Sequence, residues 1–432
     1  MESLEIIVLV LTFAILLSSG VPISFSIGIS TLITMLLSIQ TLPSLTTVAQ
    51  RMATGIDSFA LLAIPFFILA GQLMNSGGIA RRLIDFAKIL VGKLPGGLAF
   101  VNIMAAMLFG AISGSAVAAA SAIGGFMTPV MRKEGYDRGF SAAVNITSAT
   151  TGMIIPPSNI LIVYSLASGG VSIAALFLAG YIPGILLGIS LMVVAGIYAK
   201  KNKYKVALHY TIGDAIKKFF DAVPSLLLII IVIGGIVAGY FTATEASAIA
   251  VLYAFILSVF IYREIKLKDL PAILLSSATT TAVVMLLVAT SMAMSWVMAY
   301  ENIPQNVAAA LISLSDNKFV ILIIINIILL VVGTFMDMTP AVLIFTPIFL
   351  PVAIQLGINP IHFGIIMVMN LSIGLCTPPV GSVLFVGCSV AELPITKVIK
   401  PLIPMFIAMM ITLLAVTYFP DLSMFIPKLF GY

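Results

Sequence analysis

The sequence predicts an all-α polytopic membrane protein built as an internal repeat, on two observations. Hydrophobic residues make up 61% of the 432 positions and charged residues only 9%, whereas an average soluble domain has roughly 25% charged residues. The segment Gly152-Met-Ile-Ile-Pro-Pro157 returns 222 residues later as Gly374-Leu-Cys-Thr-Pro-Pro379. Proline lacks the amide donor and keeps the residue before it out of the helical conformation. Each half of the chain is therefore predicted to contain one broken membrane helix.

Residues 1–93 are predicted to form scaffold spans and connectors. A helix needs about 20 apolar residues to cross a hydrocarbon core of about 30 Å. The first apolar run carries Glu2 and Glu5 instead of a basic leader, so we expect a retained span and not a cleaved signal peptide. The elements expected here are spans at 4–20, 22–39 and 57–76, an amphipathic connector at 43–54 and a basic connector at 79–93.

Residues 94–170 are predicted to form the first repeat of a transport domain, as a helical hairpin followed by a broken helix. Between Pro95 and Arg132 the apolar run is interrupted by Gly110-Ala-Ile-Ser-Gly-Ser115. This leaves two arms of about 15 residues, each about 22 Å long, and neither spans the core comfortably. Irregular backbone at membrane depth is tolerated only against protein or water, so the hairpin should re-enter with its tip inside the protein.

The second half is predicted to repeat this plan. Residues 318–392 hold a second hairpin, at 319–354 with its tip at 333–340, and the second broken helix. Counting the crossings makes the two halves run in opposite directions, an inverted repeat that is common in secondary transporters. The remaining elements are spans near 172–199, 222–240, 244–262, 270–290 and 291–313 within scaffold residues 171–317, and a last span near 398–419 within residues 393–432.

Positive charge is concentrated in a few connecting segments. Lys and Arg are enriched in the short cytoplasmic loops of membrane proteins. The net charge of +5 therefore reports topology and not nucleic-acid binding. With the predicted hairpin and crossings, one cytoplasmic side is shared by the clusters at 79–93, 132–138, 200–218 and 263–268.

Two hairpin tips and two helix breaks would bring four stretches of non-helical backbone together near the membrane midplane. There, free carbonyls at helix C-termini can bind a cation and free amides at helix N-termini can bind an anion. Hydroxyl and carboxylate oxygens beside those carbonyls suit sodium. The alternative is that the small residues only permit close helix packing. The side chains that could supply oxygen ligands are Ser113, Ser115, Thr334, Thr377 and Asp337.

Three polar side chains near the breaks have both a functional and a structural interpretation. Asp337 lies in a deep apolar stretch, where a charged carboxylate is costly unless it is paired, and a bound cation would pair it. A neutral or salt-bridged structural Asp is the alternative. Ser158 and Asn159 begin a half-helix and could hold a substrate carboxylate, or Ser158 could simply cap the helix. Structural roles are expected for Glu245, in a capping box, and for His209 and His362.

Motifs that the chain lacks exclude several classes of protein. Without a G-x-x-x-x-G-K-[ST] phosphate loop we expect no bound nucleotide and no ATP hydrolysis. Without an H-E-x-x-H or G-x-S-x-G motif we expect no intramembrane enzyme. An ion channel is disfavoured because no acidic or carbonyl-ring pore repeat is present. Cys376 and Cys388 lack metal or disulfide spacing and are expected to be small buried hydrophobes.

Seven motifs together resemble the large membrane subunit of the TRAP transporters, the tripartite ATP-independent periplasmic family. The likeness covers nearly the whole chain. It implies an elevator-type, sodium-driven importer of organic acids, of the sialic acid or C4-dicarboxylate type, in a bacterial inner membrane. The motifs are Gly110-Ala-Ile-Ser-Gly-Ser-Ala-Val-Ala118, Lys133-Glu-Gly-Tyr-Asp-Arg-Gly-Phe140, Ile155-Pro-Pro-Ser158, Ala243-Thr-Glu-Ala-Ser247, Gly333–Asp337, His362-Phe-Gly364 and Gly374-Leu-Cys-Thr-Pro-Pro-Val-Gly381.

The resemblance also implies partners and ligands. The expected partners are a small membrane subunit, as a separate chain, and a periplasmic substrate-binding protein. Two or more sodium ions per substrate are expected, at two sites of which only one has a carboxylate. The resemblance places Ser158 near the substrate, and we expect Ser113, Ser115 and Asn159 there as well. The resemblance places sodium at Ser113, Ser115, Gly152 and Pro156 in the first half, and at Gly333, Asp337, Gly374, Thr377 and Pro378 in the second. Thr334 is expected as a further ligand from its hydroxyl oxygen.

Two questions stay open at the level of sequence. Many family members have an acid where this chain has Ala119, so a role resting on that acid is in doubt here. A stand-alone sodium:dicarboxylate symporter, which needs no binding protein, is the closest rival interpretation. The substrate is not fixed by the sequence, and sialic acid is only slightly favoured over C4-dicarboxylates.

Overall fold

The N-terminal part of the fold is a set of apolar helices joined by short connectors. The computed structural model describes residues 2–204, 212–315 and 317–432, which contain only helices and connecting turns. His209 lies outside the described residues. The short 3₁₀ turn Phe59–Leu62 leads directly into the fourth helix. The first five helices are α1 (Glu2–Ser18), α2 (Ile23–Ser38), α3 (Thr41–Ile56), α4 (Ala63–Ser76) and α5 (Ile79–Val91).

The first repeat consists of a hairpin and a broken helix, as predicted. The arms of the hairpin have 17 and 18 residues, more than the expected length, because the helix continues through Gly110 and Pro129 is accommodated inside the second arm. The hairpin tip still lies inside the protein, since Gly114 packs against the Asn159 side chain. The helices are α6 (Gly97–Ser113), α7 (Ala116–Lys133), α8 (Arg138–Ala149) and α9 (Asn159–Ala167).

The segment between the repeats differs from the prediction at one point. The two expected spans at 270–290 and 291–313 are wrong, because a single 31-residue helix runs from Leu270 to Tyr300. The chain turns at Asn302, which has φ +54°, and Pro304 opens a short helix. The helices are α10 (Ile173–Lys201), α11 (Ile212–Val237), α12 (Ala243–Phe255, continued by a π-turn at Ile256–Ile261), α13 (Leu270–Tyr300) and α14 (Ile303–Leu314).

The second repeat again consists of a hairpin and a broken helix. After its last long helix the chain adds a nine-residue helix that was not predicted. Across the described residues, eight helices are long and apolar enough to cross a membrane. The helices of this part are α15 (Lys318–Phe335), α16 (Met338–Gln355), α17 (Pro360–Gly374), α18 (Ser382–Ala391), α19 (Ile395–Tyr418) and α20 (Asp421–Leu429).

The two broken helices run antiparallel, which makes the repeat inverted. Arg138 at the start of α8 donates from Nη2 to the Ala391 carbonyl at the end of α18, over 3.0 Å. Tyr164 near the end of α9 donates to the Pro360 carbonyl at the start of α17, over 2.7 Å. The start of each broken helix therefore lies beside the end of the other.

The centre of the protein is formed by the first segments of the broken helices. Every residue of α8 from Gly139 onward and every residue of α17 from His362 onward is buried. Helix α8 carries buried polar side chains that lipid could not satisfy, and Asn145 accordingly donates to the Ala120 carbonyl over 2.8 Å. Helices α10 and α19 pack against α8 and α17, so α10 contacts the repeats although it falls in the predicted scaffold segment. Which helices move together stays a prediction.

The basic connectors lie at one end of the molecule. Gly96 packs against Ala199, and the Tyr204 hydroxyl accepts from the Asp137 amide over 2.9 Å, so the ends of α7 and α10 are neighbours. Lys218 Nζ lies 3.6 Å from Asp85 Oδ1, and Arg82 Nη1 lies 3.8 Å from Glu264 Oε1. These contacts join the four predicted basic clusters on one side, apart from residues 205–211.

Candidate ion and substrate site

The first hairpin turns through a left-handed glycine. Gly114 has φ +61°, a conformation that glycine adopts without steric cost. Ser115 then caps α7, because its hydroxyl oxygen accepts from the Ala118 amide over 3.2 Å. The Ser113 hydroxyl lies 3.5 Å from the Ser115 carbonyl. The tip thus presents two hydroxyls and a main-chain carbonyl within a few residues of one another.

Each hairpin meets its broken helix through a contact between two glycine backbones. A Cβ atom added at Gly110 would lie 2.7 Å from the Gly152 Cα atom. A Cβ atom added at Gly374 would lie 2.6 Å from the Gly333 Cα atom. Only residues without a side chain allow this approach. Both pairs therefore bring a hairpin to the point where the partner helix is interrupted.

The first helix break is compact and uses its hydroxyl internally. A single 3₁₀ turn, Thr151–Met153, follows α8, and the Pro156–Pro157 segment separates it from α9. Ser158 donates to the Met153 carbonyl over 2.5 Å and makes no capping bond to α9. Ser158 is fully buried, whereas Asn159 reaches a cavity. Gly152 and Pro156 are buried behind the hairpin.

The second helix break is tied directly to its hairpin. The Gly381 amide donates to the Thr334 carbonyl over 2.9 Å. A Cβ at Gly381, which has φ +48°, would meet the carbonyl oxygens of Leu375 and Thr377 at 2.7 and 2.9 Å. Thr377 donates from Oγ1 to the Ile373 carbonyl over 2.8 Å, which leaves its hydroxyl lone pairs available. Several oxygens therefore converge beside Gly333, Gly374 and Pro378.

Asp337 occupies the N-cap position of α16 without capping it. Its side chain makes no capping hydrogen bond, only a local contact with the adjacent Met338 amide, and forms no ion pair within the described ranges. The residue is exposed, but the space it faces is a cavity inside the protein. A carboxylate at this depth needs a cation or a proton.

A cavity of about 390 Å³ lies where the two hairpin tips meet. It is bordered by the N-termini of α7, α9 and α16, whose free amides favour an anion. Among its described lining residues no lysine, arginine or histidine occurs, and Asp337 is the only charged one. The polar side chains that line it are Gln72, Asn75, Ser113, Ser115, Asn159, Thr280, Asp337 and Thr339.

The structure groups the predicted site residues in three places. Ser113, Ser115, Asn159 and Asp337 line the cavity, and Ser158 lies behind it. Gly152 and Pro156 belong to the first break, whereas Gly333, Thr334, Gly374, Thr377 and Pro378 surround the second. Their roles as ligands stay predictions.

Three polar residues of the cavity were not predicted from the sequence. Gln72 and Asn75 on α4 and Thr280 on α13 face the hairpin tips from helices taken as scaffold. Neither amide side chain has a hydrogen-bond partner in the part of the chain that the structure describes. The available signal was two amides three residues apart in an otherwise apolar span, which places both on one helix face.

Several structural assignments are confirmed. Thr242 and Glu245 form a reciprocal capping box at the start of α12. His362 is buried and its Nδ1 lies 2.6 Å from the Ser423 hydroxyl. Cys376 and Cys388 are free and buried.

The model of the tripartite ATP-independent periplasmic transporter family, DctM component, matches residues 10–422. The chain belongs to this family. It is 58% identical to the uncharacterized protein YgiK of Salmonella typhimurium, over 99% of this chain and 98% of that protein. It is 39% identical to the C4-dicarboxylate TRAP transporter large permease protein DctM of Rhodobacter capsulatus, over 96% and 97%. It is 40% identical to the sialic acid TRAP transporter large permease protein SiaM of Vibrio cholerae, over 96% and 97%.

Among solved structures, the fold is similar to the Alcanivorax borkumensis YdaH transporter, with a TM-score of 0.65 over 87% of this chain and 88% of that one. At 13% identity this likeness shows the fold alone. The DctM-family chain is thus the large membrane component of a secondary transporter, not an enzyme, and is a multi-pass protein of the bacterial inner membrane. A stand-alone symporter is not favoured, since the matching family is tripartite.

Proposed function

We propose that this DctM-family protein imports an organic acid with sodium as the coupling ion, using two sodium sites of different chemistry. The observation that carries the proposal is the cavity at the hairpin tips. It combines three helix N-termini, which favour an anion, with one unpaired carboxylate, which favours a cation. In such a cavity a bound cation and a bound anion attract each other, so the two bind together better than either does alone.

The first proposed sodium site uses the neutral tip of the first hairpin. Its ligands would be the hydroxyls of Ser113 and Ser115 with main-chain oxygens at Gly152 and Pro156. The contact between Gly110 and Gly152 supports this site, because it brings the tip and the break together. Oxygen ligands of this kind suit a hard cation.

The second proposed site contains the carboxylate. Asp337 and Thr377 would supply side-chain oxygens, and the segment around Gly333, Thr334, Gly374 and Pro378 would supply carbonyls. The hydrogen bond from Gly381 to Thr334 and the two carbonyls near Gly381 support this grouping. The Thr377 hydroxyl already donates its hydrogen, so a cation can take a lone pair.

The charges imply an order of binding. A carboxylate substrate and an ionised Asp337 repel each other across a cavity of about 390 Å³, where the dielectric is lower than in water. Sodium at the second site removes this repulsion before the substrate enters. The substrate carboxylate would then lie at the N-termini of α7 and α9, near Ser113, Ser115 and Asn159, with Ser158 supporting the break behind them.

The hairpins and broken helices would move as an elevator-type transport domain against the other helices. Membership of a tripartite family implies a small membrane subunit and a periplasmic binding protein. Relatives named for C4-dicarboxylates and for sialic acid are equally similar to this chain, so the proposal extends to the organic-acid class and does not retain the lean toward sialic acid.

Uptake into proteoliposomes tests the proposal. The chain is reconstituted with its small subunit, and substrate is supplied on the cognate binding protein, which is first identified by the shift in its melting temperature with succinate and with sialic acid. We expect saturable uptake that requires an inward sodium gradient. Uptake of equal rate with potassium in place of sodium, or without the binding protein, would contradict it.

A further inference from the structure

A second cavity, of about 480 Å³, opens at the basic end of the first repeat. It lies between the last turn of α7, the start of α8 and the end of α18. Arg132, Lys133 and Arg138 line it together with Glu392, so positive charge is in excess. The basic end is cytoplasmic by the distribution of Lys and Arg.

The three cations differ in how they are held. Arg138 is fixed, because Nη2 donates to the carbonyls of Ala391 and Glu392 over 3.0 and 3.4 Å. Arg132 and Lys133 are exposed and have no ion-pair partner within the described ranges. One anchored guanidinium and two free cations around a concavity can bind an anion with several oxygens.

The same cavity has an apolar side between α7 and α18, which is called the groove below. Gly125 and Val390 line the cavity, and a side chain added at Gly125 would find open space. Phe126 and Phe385, on the same two helices, are 50% and 48% exposed and add apolar surface outside the cavity. A soluble anion gains nothing from contact with these apolar residues, whereas an acyl chain is stabilised by burying its own apolar surface against them.

We propose that this cavity binds the headgroup phosphate of an anionic phospholipid from the cytoplasmic leaflet, with an acyl chain along the groove beside Gly125. Basic pockets between membrane helices on the cytoplasmic side suit such headgroups. The site lies outside the central cavity and does not depend on the transported substrate. It places a lipid on the first repeat itself, at the end of α7.

Native mass spectrometry of the full chain, released from nanodiscs of mixed phosphatidylglycerol and phosphatidylcholine, tests this. The double variant Arg132→Gln/Lys133→Gln should lower the fraction of protein that retains phosphatidylglycerol by on the order of tenfold. Lys200→Gln/Lys201→Gln is the matched control, because it removes an adjacent exposed pair from the last turn of α10 at the same end. The control should retain the lipid. Equal loss in both variants, or in neither, would overturn the proposal.

Two further arms separate a lipid from a soluble anion. Gly125→Leu keeps the cations, fills the groove and should also lower phosphatidylglycerol retention. Soluble glycerol phosphate, which carries the same phosphate chemistry without acyl chains, should not displace the lipid. Full displacement by glycerol phosphate, or unchanged retention in Gly125→Leu, would overturn a lipid as the occupant. Circular dichroism and size-exclusion profiles check that each variant is folded.

Discussion

The two repeats place different residues at the same position of their hairpin tips. Ser115 and Asp337 are 222 residues apart and are the N-cap residues of α7 and α16. Ser115 caps its helix through the Ala118 amide, whereas Asp337 leaves its helix uncapped and faces the cavity. Asp and Ser are both good capping residues, so an Asp that does not cap is free for another partner. The inverted repeat thus has two similar hairpin tips whose equivalent side chains differ in charge and in hydrogen bonding.

The largest expected effect is at Asp337. Asp337→Ala should lower sodium-driven uptake by on the order of 100-fold, because the second sodium site loses its only charge. Ser115→Ala, at the equivalent position, should lower uptake only about fivefold, because the first sodium site loses one neutral hydroxyl contact worth about 1 kcal/mol and keeps its other ligands. Initial rates in proteoliposomes measure both. Similar losses in the two variants would show that the repeats do not differ as described.

The glycine contacts should tolerate substitution equally poorly in both repeats. Gly152→Ala and Gly374→Ala place a Cβ 2.3 Å and 2.6 Å from glycine backbone atoms of the facing hairpin. Backbone cannot rotate away, so each should cost about 2 kcal/mol or more in the free energy of unfolding. The melting temperature of the purified protein measures this. Gly234→Ala, within α11 and with nothing near the added Cβ, is the control and should keep or slightly raise the melting temperature, because Ala favours a helix over Gly. A wild-type melting temperature in either contact variant would contradict the close approach.

Removing the hydroxyl at the second break should weaken sodium binding, whereas removing the hydroxyl at the first break should lower stability. Thr377→Val removes a hydroxyl with free lone pairs and should raise the sodium concentration for half-maximal uptake about fivefold. Ser158→Ala removes a buried hydrogen bond and should lower the free energy of unfolding by about 1 kcal/mol with unchanged sodium dependence. Sodium titrations and melting curves distinguish the two. A sodium effect at Ser158 alone would reverse the assignment.

The smallest expected effect is for the two amide side chains of α4, which face both hairpin tips across the cavity. Gln72→Ala and Asn75→Ala remove amides that have no partner within the described residues, and each should raise the apparent KM for substrate about threefold. The sodium dependence should stay as in the wild type, because α4 does not belong to either proposed sodium site. Uptake at varied substrate and varied sodium separates the two parameters. A shift in sodium dependence would place α4 in the ion site.

The sequence was sufficient for the hairpins and breaks because Gly and Pro act locally on the backbone. Gly114 takes a left-handed conformation and each Pro-Pro pair removes two successive amide donors, so these breaks carried over to the structure, whereas Gly110 and the single Pro129 did not end their helices. The prediction of two spans in place of α13 was wrong because the sequence offers no such signal there. No breaker occurs near residue 290, and the actual end is marked by Asn302 and Pro304.

Tertiary partners were not predictable from one sequence. The pairing of Gly110 with Gly152 depends on how a hairpin docks, and a glycine in an apolar run does not reveal what approaches it. Gln72 and Asn75 were overlooked because their helix was taken as scaffold, and only the folded arrangement shows that the cavity lies on their side. Only the structure shows that the Asp337 carboxylate does not cap α16, because its position at the start of the helix predicts a cap.

Two unlike sodium sites are proposed, and only the second contains a carboxylate. Equilibrium binding of radioactive sodium to the purified protein, without substrate, tests this proposal most directly. We expect two bound sodium ions in the wild type and one in Asp337→Asn, with the affinity of the remaining ion unchanged. Equal numbers of bound sodium ions in the two proteins would contradict it.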